Sequence, residues 1–447
     1  MDGTTLTVCA YTLGCKVNVY DTEKMMEQFK LAGFAKVPET ERGADVYVVN
    51  TCSVTAMADK KSRQAIRRAK RENPQAVIVV CGCFAQLSPQ QALDIGADLV
   101  IGRDDKERAA ELTLEFIGER RPRDYAPVAE EAQKDLAPAQ KDLAPAQEDL
   151  APGDRTRAYV KIQDGCDNYC AYCVIPYARG RARSRPISGI VDEVRGLAER
   201  GYKEIVLTGI HVASYGKDLS DGDLQTLLPL AAGVDGIERV RFSSVEPLLI
   251  TEEFCETLSR LPNICDHFHL SLQSGCDATL TRMRRRYNTS QYREAVERLR
   301  EAYPDAGITT DIIVGFPGET DEEFEQSRSF AQSMDFLKIH VFPFSPKKGT
   351  AAALMPQRVI DGVKKARADR LLRLSESLGL AFKTKYIGKH LKVLFEDEVT
   401  PGVFAGYSTN YINVRACSPV CDPRGRIGIA RPTDVFTNYV KADILRL

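Results

Sequence analysis

The first 123 residues alternate between short apolar runs and longer amphipathic stretches. The short runs are rich in β-branched residues and predict strands at residues 6–11, 45–50, 77–81 and 98–101. The stretches between them have the periodicity of helices. Strands that alternate with helices predict a small parallel sheet with helices on both faces, which is an α/β fold of the Rossmann-like type.

A second series of alternating runs begins at residue 159. Six strand-like runs each lead into a helix-like stretch, at residues 159–162, 204–208, 239–243, 267–272, 309–314 and 338–344. Because crossovers between parallel strands are right-handed, these units predict an open, partial (β/α)6 barrel. Its functional face should be the C-terminal ends of the strands.

The end of the chain has an all-β pattern. A mostly helical stretch to about residue 380 is followed by strand-like runs with Gly-rich turns at residues 392–396, 402–406, 411–414 and 427–430. Such short strands predict a small antiparallel β-barrel of the kind that binds oligonucleotides.

Residues 124–153 separate the first two patterns. Here KDLAPAQ occurs twice in tandem, and its prolines would break a helix. The stretch is acidic and predicts an extended linker. The expected domains are therefore residues 1–123, 154–380 and 381–447, with the linker at 124–153.

Composition and charge narrow the class of protein. With 43% hydrophobic and 28% charged residues, the 447-residue chain has the composition of a globular protein. It has neither a membrane-length apolar run nor a leader-like N-terminus, so we expect a cytoplasmic protein with no membrane partner. The net charge is only −1, but residues 60–71 carry seven Lys and Arg and no acid. Residues 155–185 and 381–447 are also locally basic. These patches could attract a phosphate backbone, although a solvated helix face would explain any one of them.

Three of the 13 Cys form a CxxxCxxC run at Cys166, Cys170 and Cys173. A structural zinc site needs four protein ligands, whereas three thiolates on one loop suit a [4Fe-4S] cluster with one open iron. A zinc knuckle completed by a distant His or Cys remains the alternative. With Tyr172 before the last Cys and a strand before the loop, the run resembles the radical S-adenosylmethionine superfamily. The resemblance implies that S-adenosylmethionine binds the open iron and that Tyr172 lies beside its adenine.

A second set of Cys follows the strands of the first domain. Cys15, Cys52 and Cys83 each lie in a βα turn, and such turns meet at one edge of a parallel sheet. They could hold a second [4Fe-4S] cluster, or they could be unrelated buried thiols. Cys81 forms a CxC with Cys83, and we favour Cys83 because it follows Gly82, outside the strand.

The segments LGCKVN, NTCSVT and GCFAQ, together with the radical motif and the all-β end, resemble the methylthiotransferase family over nearly the whole chain. CKVN at 15–18 is most similar to the branch that acts on N6-threonylcarbamoyladenosine in tRNA. The resemblance implies two [4Fe-4S] clusters, S-adenosylmethionine, an external electron donor and a sulfur donor. It also implies an RNA-binding TRAM domain at 381–447 that contacts the tRNA anticodon arm.

Other residues at predicted strand ends are weaker candidates. Gly209, Ser243, Glu246 and Gln273 could contact S-adenosylmethionine, or they could serve only turns and core hydrogen bonds. No catalytic acid or base is assigned. The arginines of RMRRRY could bind tRNA phosphates or cap a helix, and those at 179, 181 and 183 could pair with the threonyl carboxylate. The rival functions are methylthiolation of isopentenyladenosine or of a ribosomal protein, and zinc-dependent RNA binding without catalysis.

Overall fold

The computed structural model describes residues 5–119, 156–220, 222–418 and 421–447. The chain divides into two units, one formed by Met1–Ser53 and Met57–Asp154, the other by Val54–Ala56 and Arg155–Leu447. The linker at 124–153 lies outside the described residues. The domain boundaries expected from the sequence therefore stay predictions.

The first unit is built on a parallel sheet. Its strand order is β2-β1-β3-β4-β5, and every pair of neighbours is parallel. The elements are β1 (Thr7–Thr12), α1 (Lys16–Leu31), β2 (Ala35–Lys36), β3 (Val46–Thr51), α2 (Ala56–Glu72), β4 (Val77–Cys81), α3 (Gly82–Leu87), α4 (Pro89–Asp94), β5 (Leu99–Val100) and α5 (Ala109–Glu119). The prediction of an α/β domain with a parallel sheet is confirmed. Strand β2 was not predicted, because it consists of two exposed residues.

Helices cover both faces of this sheet. Along β4, Val77, Val79 and Cys81 pack in the core beneath α1 and α5, whereas Ile78 and Val80 pack beneath α2 and α3. This alternation is the two-residue period of a strand, and it explains why a continuous apolar run is required where both faces are buried. All six residues of β3 are buried for the same reason.

The second unit begins with a barrel of parallel strands. Six strands, β6 (Arg157–Asp164), β8 (Glu204–Gly209), β9 (Arg239–Phe242), β11 (His267–Leu270), β12 (Gly307–Val314) and β13 (Lys338–Pro343), coincide with the six predicted runs. Two short strands, β7 (Arg183–Ser184) and β10 (Ser244–Val245), extend it. The two sheets, β7-β6-β8-β9 and β10-β11-β12-β13, are joined by a bridge between Val240 and Ile264. The predicted partial barrel is confirmed.

Helices surround the barrel strands. They are α6 (Ile175–Arg179), α7 (Ile187–Glu199), α8 (Leu224–Ala232), α9 (Glu252–Ser259), α10 (Asp277–Arg282), α11 (Thr289–Ala302), α12 (Asp321–Ser333) and α13 (Asp361–Thr384). The outward-facing strand residues and these helices form one continuous apolar core. Among the described residues, no helix combines the length and the apolar character that crossing a membrane requires.

The chain ends in a closed five-stranded barrel with the order β14-β15-β16-β18-β17. Its strands are β14 (Leu391–Thr400), β15 (Val403–Ser408), β16 (Asn413–Cys417), β17 (Ile427–Val435) and β18 (Val440–Arg446). Neighbours are antiparallel except for β16 and β18, which are parallel. The predicted small β-barrel is confirmed. Strand β18 was not among the predicted runs.

Buried charges join this terminal barrel to the N-terminal ends of the (β/α)6 strands. Arg239 donates to the carbonyls of Tyr407 (3.0 Å) and Lys392 (2.6 Å), and Arg241 donates to those of Thr409 (3.0 Å) and Ser408 (3.2 Å). Glu204 lies between the two arginines, 3.4 Å from Arg239 Nη1 and 2.9 Å from Arg241 Nε. These arginines and Glu204 are only 1% exposed. The C-terminal ends of the strands are left for the site.

Candidate functional site

The CxxxCxxC loop follows β6 at the C-terminal end of the barrel. Gly165 opens the loop with φ +73°, and a Cβ there would lie 1.9 Å from the carbonyl oxygen of Arg181, so only glycine fits. The amide of Cys166 donates to Gly180 O (3.1 Å), and that of Ala171 donates to Met283 O (3.0 Å). The loop is therefore fixed by the backbone on both sides.

The three thiols of this loop are largely shielded from solvent. Cys166 and Cys170 are buried, and Cys173 is half-buried. Burial raises the pKa of the Cys166 thiol, and it raises that of Cys173 to about 12. A buried thiol becomes a thiolate when a cation compensates its charge, as a bound metal does. The donor set of three closely spaced thiols fits a [4Fe-4S] cluster that has one iron free for another ligand.

A single metal ion is a poorer fit to the described residues. Within the described ranges, no group of three or more Cys, His, Asp or Glu side chains is arranged to hold a metal ion. In a [4Fe-4S] cluster each thiolate binds a different iron, so the sulfur atoms need not converge on one point.

Polar side chains surround the loop, and Glu246 is at their centre. Its Oε1 accepts hydrogen bonds from Arg285 Nη2 (2.6 Å) and Asn168 Nδ2 (3.2 Å), and its Oε2 lies 2.7 Å from His211 Nε2. Burial opposes the charged form, but His211 and the charge of Arg285 outweigh it and lower the pKa of Glu246 to about 2. Arg285 also donates from Nη1 to the sulfur of Cys170, at 3.1 Å. We call Asn168, His211, Glu246 and Arg285 the Glu246 network.

The other predicted S-adenosylmethionine contacts lie at neighbouring strand ends. Ser243 follows β9 and is 5% exposed, and within the described part of the chain its hydroxyl has no hydrogen-bond partner. Gly209 is the last residue of β8, and a Cβ on it would lie 3.2 Å from the side chain of Gln163. Gln273 lies after β11 with φ +67°, and its backbone N–H donates to Asp311 O (2.8 Å). An unpartnered buried hydroxyl at this end of the barrel fits a polar ligand, because such groups are costly to leave unpaired.

Tyr172 packs on the same side of the loop as Phe316. The two rings meet edge to face, with centroids 6.4 Å apart. Tyr172 and Phe316 belong to a small apolar cluster with Met283 and Phe344. The ring is thus held in place, as an aromatic wall for an adenine would need to be.

The turns that carry Cys15, Cys52 and Cys83 are tied together in the first unit. A Cβ on Gly14 would lie 2.9 Å from Cys52 Sγ, and one on Gly82 would lie 2.3 Å from Thr51 O. Asn18 Nδ2 donates to Leu13 O (2.6 Å) and Thr51 O (3.0 Å). These contacts bring the three turns to one sheet edge, as the sequence predicted.

Cys15, Cys52 and Cys83 differ from Cys81 in their environment. Cys15 is exposed at the N-terminus of α1, Cys52 is buried just after β3, and Cys83 is buried in the first turn of α3. The backbone amide of Cys52 donates to Ser62 Oγ (3.1 Å). Cys81 lies on the opposite face of its strand, and its thiol is 3.9 Å from Met25 Sδ in the core. Cys81 therefore ends its strand facing the core beneath α1 and α5, whereas Cys83 lies in the first turn of α3.

The arginines considered for tRNA divide into buried and exposed sets. Arg282 pairs with Glu323, Arg285 belongs to the Glu246 network, and Arg179 is 4% exposed and pairs with Asp164 at 2.9 Å. Arg179 and Arg285 are thus turned inward, whereas the side chain of Arg282 is 31% exposed and held by its ion pair. The exposed arginines are Arg181, Arg183, Arg284 and Arg286.

Sequence reasoning did not identify Asn168, His211 or Gln163. Asn168 lies inside the CxxxCxxC run, which was a signal that it would be close to a bound group. His211 and Gln163 carry no such signal, because only the barrel brings them together, with His211 N donating to Gln163 Oε1 at 2.8 Å.

Two family models match the chain. The Radical SAM superfamily matches residues 160–331, and the Uncharacterized protein family UPF0004 matches residues 7–102.

The threonylcarbamoyladenosine tRNA methylthiotransferase MtaB of Bacillus subtilis (strain 168) is 42% identical over 420 residues, which cover 91% of this chain and 90% of the relative. The protein of the same name from Thermotoga maritima is 39% identical, with the same coverage. A tRNA-2-methylthio-N(6)-dimethylallyladenosine synthase from Syntrophotalea carbinolica is 36% identical and covers 88% of each chain.

A solved structure shares the fold. The radical S-adenosylmethionine methyltransferase TsrM from Kitasatospora setae, solved with cobalamin and a [4Fe-4S] cluster, covers 78% of this chain and 77% of its own. The TM-score is 0.56 at 16% identity, so this likeness concerns the fold alone. The relatives of 42% and 39% identity extend over nearly the whole chain. The chain belongs to the radical S-adenosylmethionine methylthiotransferase family, in its threonylcarbamoyladenosine tRNA branch.

Proposed function

We propose that the protein adds a methylthio group to C2 of N6-threonylcarbamoyladenosine in the anticodon arm of tRNA. The observation that carries this function is the similarity to relatives of that name over about nine-tenths of both chains. The position of both sets of three Cys after strands of parallel sheets supports this proposal. The protein is a transferase that uses S-adenosylmethionine and [4Fe-4S] clusters.

The residues divide between two cluster sites. Cys166, Cys170 and Cys173 would hold the radical cluster, and the turns at Cys15, Cys52 and Cys83 would hold the second. When bound, the clusters and S-adenosylmethionine supply the adenosyl radical and the methylthio group. A radical is needed because the C2 hydrogen of adenine is on an unactivated aromatic carbon, beyond the reach of a side-chain base.

The barrel residues bind and orient the reactants. Ser243, Gly209 and Gln273 at the strand ends would line the S-adenosylmethionine site, with Tyr172 beside the adenine. The unpartnered hydroxyl of Ser243 supports this placement. The apolar packing of Tyr172 on Phe316 would help to exclude water from the reacting groups.

Both carboxylate oxygens of Glu246 already accept bonds from neighbouring side chains. Glu246 is therefore better placed to organise the loop than to touch S-adenosylmethionine directly. Its predicted contact with that cofactor stays a prediction.

The tRNA would be recognised by the terminal barrel, which we assign to residues 381–447, and by exposed arginines. Arg181 and Arg183 flank the cluster loop and are exposed, so they could pair with the threonyl carboxylate. We further propose that an external electron donor and a sulfur donor serve the enzyme and that it acts in the cytoplasm, where tRNA is found. The remaining domains would be residues 1–123 and 154–380, with the linker at 124–153.

Nucleoside mass spectrometry of tRNA tests the substrate. A strain that lacks the gene should lose the methylthio derivative of threonylcarbamoyladenosine, and the wild-type gene should restore it. Cys166→Ala should not restore it, whereas Cys417→Ala, at an exposed Cys that belongs to neither set of three, should. Loss of the mark on isopentenyladenosine, or on a ribosomal protein, would assign the same chemistry to that substrate instead.

Metal analysis excludes or supports the non-catalytic alternative. Anaerobically purified protein should contain iron and sulfide and should respond to dithionite in its visible and EPR spectra. A colourless protein with about two zinc ions would overturn the radical assignment.

A further inference from the structure

The Glu246 network places one cation directly against a cluster thiol. Arg285 Nη1 is 3.1 Å from Cys170 Sγ, and its Nη2 is 2.6 Å from Glu246 Oε1. The Arg285 side chain is only 7% exposed, so solvent screens these contacts weakly. A guanidinium presents its donors in a fixed plane, which lets it bridge a sulfur and a carboxylate at once.

The opposite charge is held just as firmly. Glu246 is oriented by Asn168 from within the cluster loop and by His211 from the strand end after β8. Tyr287 OH, 3.1 Å from Arg285 Nε, fixes the remaining side of the guanidinium and itself donates to Ser271 O at 2.6 Å. The cation and the anion are therefore set at fixed positions relative to Cys170.

Charge and hydrogen bonding at the cluster sulfurs are known determinants of iron-sulfur reduction potentials. A cation that donates to a thiolate stabilises the reduced state, which carries one more negative charge. A nearby carboxylate has the opposite effect. We propose that Arg285 and Glu246 are positioning residues that set the reduction potential of the radical cluster, Arg285 raising it and Glu246 lowering it.

This inference rests on the proposed cluster at Cys166, Cys170 and Cys173, and it does not depend on the tRNA substrate. The experiment is an EPR-monitored redox titration of the full-length chain. Cys15, Cys52 and Cys83 are replaced by Ala in this parent, so that the signal comes from one cluster. Iron and sulfide content are measured first in every variant.

Arg285→Met should lower the reduced-to-oxidised ratio at a fixed potential by about tenfold, which is a shift of about 59 mV for one electron. Glu246→Gln should shift the potential in the opposite direction. A purely structural disturbance of the loop would not give shifts of opposite sign. The matched control is Arg284→Met, which removes the same charge from the neighbouring, exposed residue and should leave the potential unchanged.

Each outcome has a distinct meaning. If the parent holds no iron-sulfur cluster, the proposed function fails, and the inference fails with it. If a cluster is present but Arg285→Met and Glu246→Gln match the control, or both shift the same way, the inference alone is overturned. If Arg285→Met fails to assemble a cluster, Arg285→Lys takes its place, because it keeps the charge but not the two-sided contact. Arg285→Lys should lower the reduced-to-oxidised ratio by less than tenfold. Glu246→Gln still tests the sign of the shift.

Discussion

Replacing Glu204 by Gln should loosen the joint between the two barrels of the second unit. Glu204 is 1% exposed and lies against Arg239 and Arg241, which are equally buried. Removing the charge leaves two buried guanidinium groups without their anion. Loss of one partner of a buried ion pair costs about 3–5 kcal/mol.

The pKa of Glu204 gives a second route to the magnitude. Burial opposes ionisation, but Arg241, Arg157 and Arg239 outweigh it and lower the pKa from 4.5 to about 2. A lowering of this size corresponds to roughly 3 kcal/mol, which agrees with the first figure. Because the pKa is lower in the folded state, this stability is present above about pH 4.5 and is lost as the pH falls toward 2.

Hydrogen exchange is the suitable assay, because a multidomain chain does not unfold in one step. The backbone amides of β14 and β15 should exchange faster in Glu204→Gln than in the wild type. The expected increase in rate is the one produced when the free energy of opening falls by about 3 kcal/mol. The control is Glu238→Gln, whose exposed carboxylate lies 3.5 Å from Lys203 Nζ and 3.8 Å from Lys392 Nζ on β14. Exposed pairs of this kind should contribute no more than about 1 kcal/mol. Equal protection in the two variants would refute the argument.

Three further predictions concern the sites. Cys83→Ala should remove about half of about eight irons per chain, whereas Cys81→Ala should keep them all, and iron analysis of anaerobic protein decides. Gly165→Ala should prevent assembly of the radical cluster because its Cβ would meet a carbonyl, while Gly189→Ala, in open space on α7, should assemble it normally in the same iron assay. Ser243→Ala should raise the Kd for S-adenosylmethionine about tenfold in calorimetry. It should not lower thermal stability, because the hydroxyl has no partner among the described residues. An unchanged Kd would remove Ser243 from the cofactor site.

The sequence was most informative where periodicity and local chemistry coincide. The strands that precede Cys15, Cys52 and Cys83 are five or six residues long and mostly apolar, so their pattern predicted both the sheet and the edge at which their turns lie. The six barrel strands were found for the same reason. Strands β2 and β18 were missed because the first is short and exposed and the second mixes charged with apolar residues.

The partners of the candidate site could not be predicted in the same way. The RMRRRY run looks like a uniform basic patch in sequence, yet the structure buries the Arg285 side chain, pairs the half-buried Arg282 with Glu323 and leaves Arg284 and Arg286 exposed. Helix α10 ends at Arg282, and Arg284 has φ +58°. The later arginines therefore do not follow the helical repeat that would decide which side chains share a face. Only tertiary contacts determine which arginine meets Cys170.

Strand β9 and the residue after it divide between a structural role at Arg239 and Arg241 and the ligand contact that we propose for Ser243. Arg239, Arg241 and Ser243 are two residues apart, so they share the face of the strand opposite Val240 and Phe242, which belong to the outer core. The two arginines bind carbonyls of the terminal barrel at the N-terminal end, where a barrel is usually stabilised. Ser243 follows the strand at the C-terminal end, where barrels bind their ligands, and its hydroxyl meets no hydrogen-bond partner among the described residues. Substitutions along this face should therefore change from effects on stability at Arg239 and Arg241 to effects on ligand binding at Ser243.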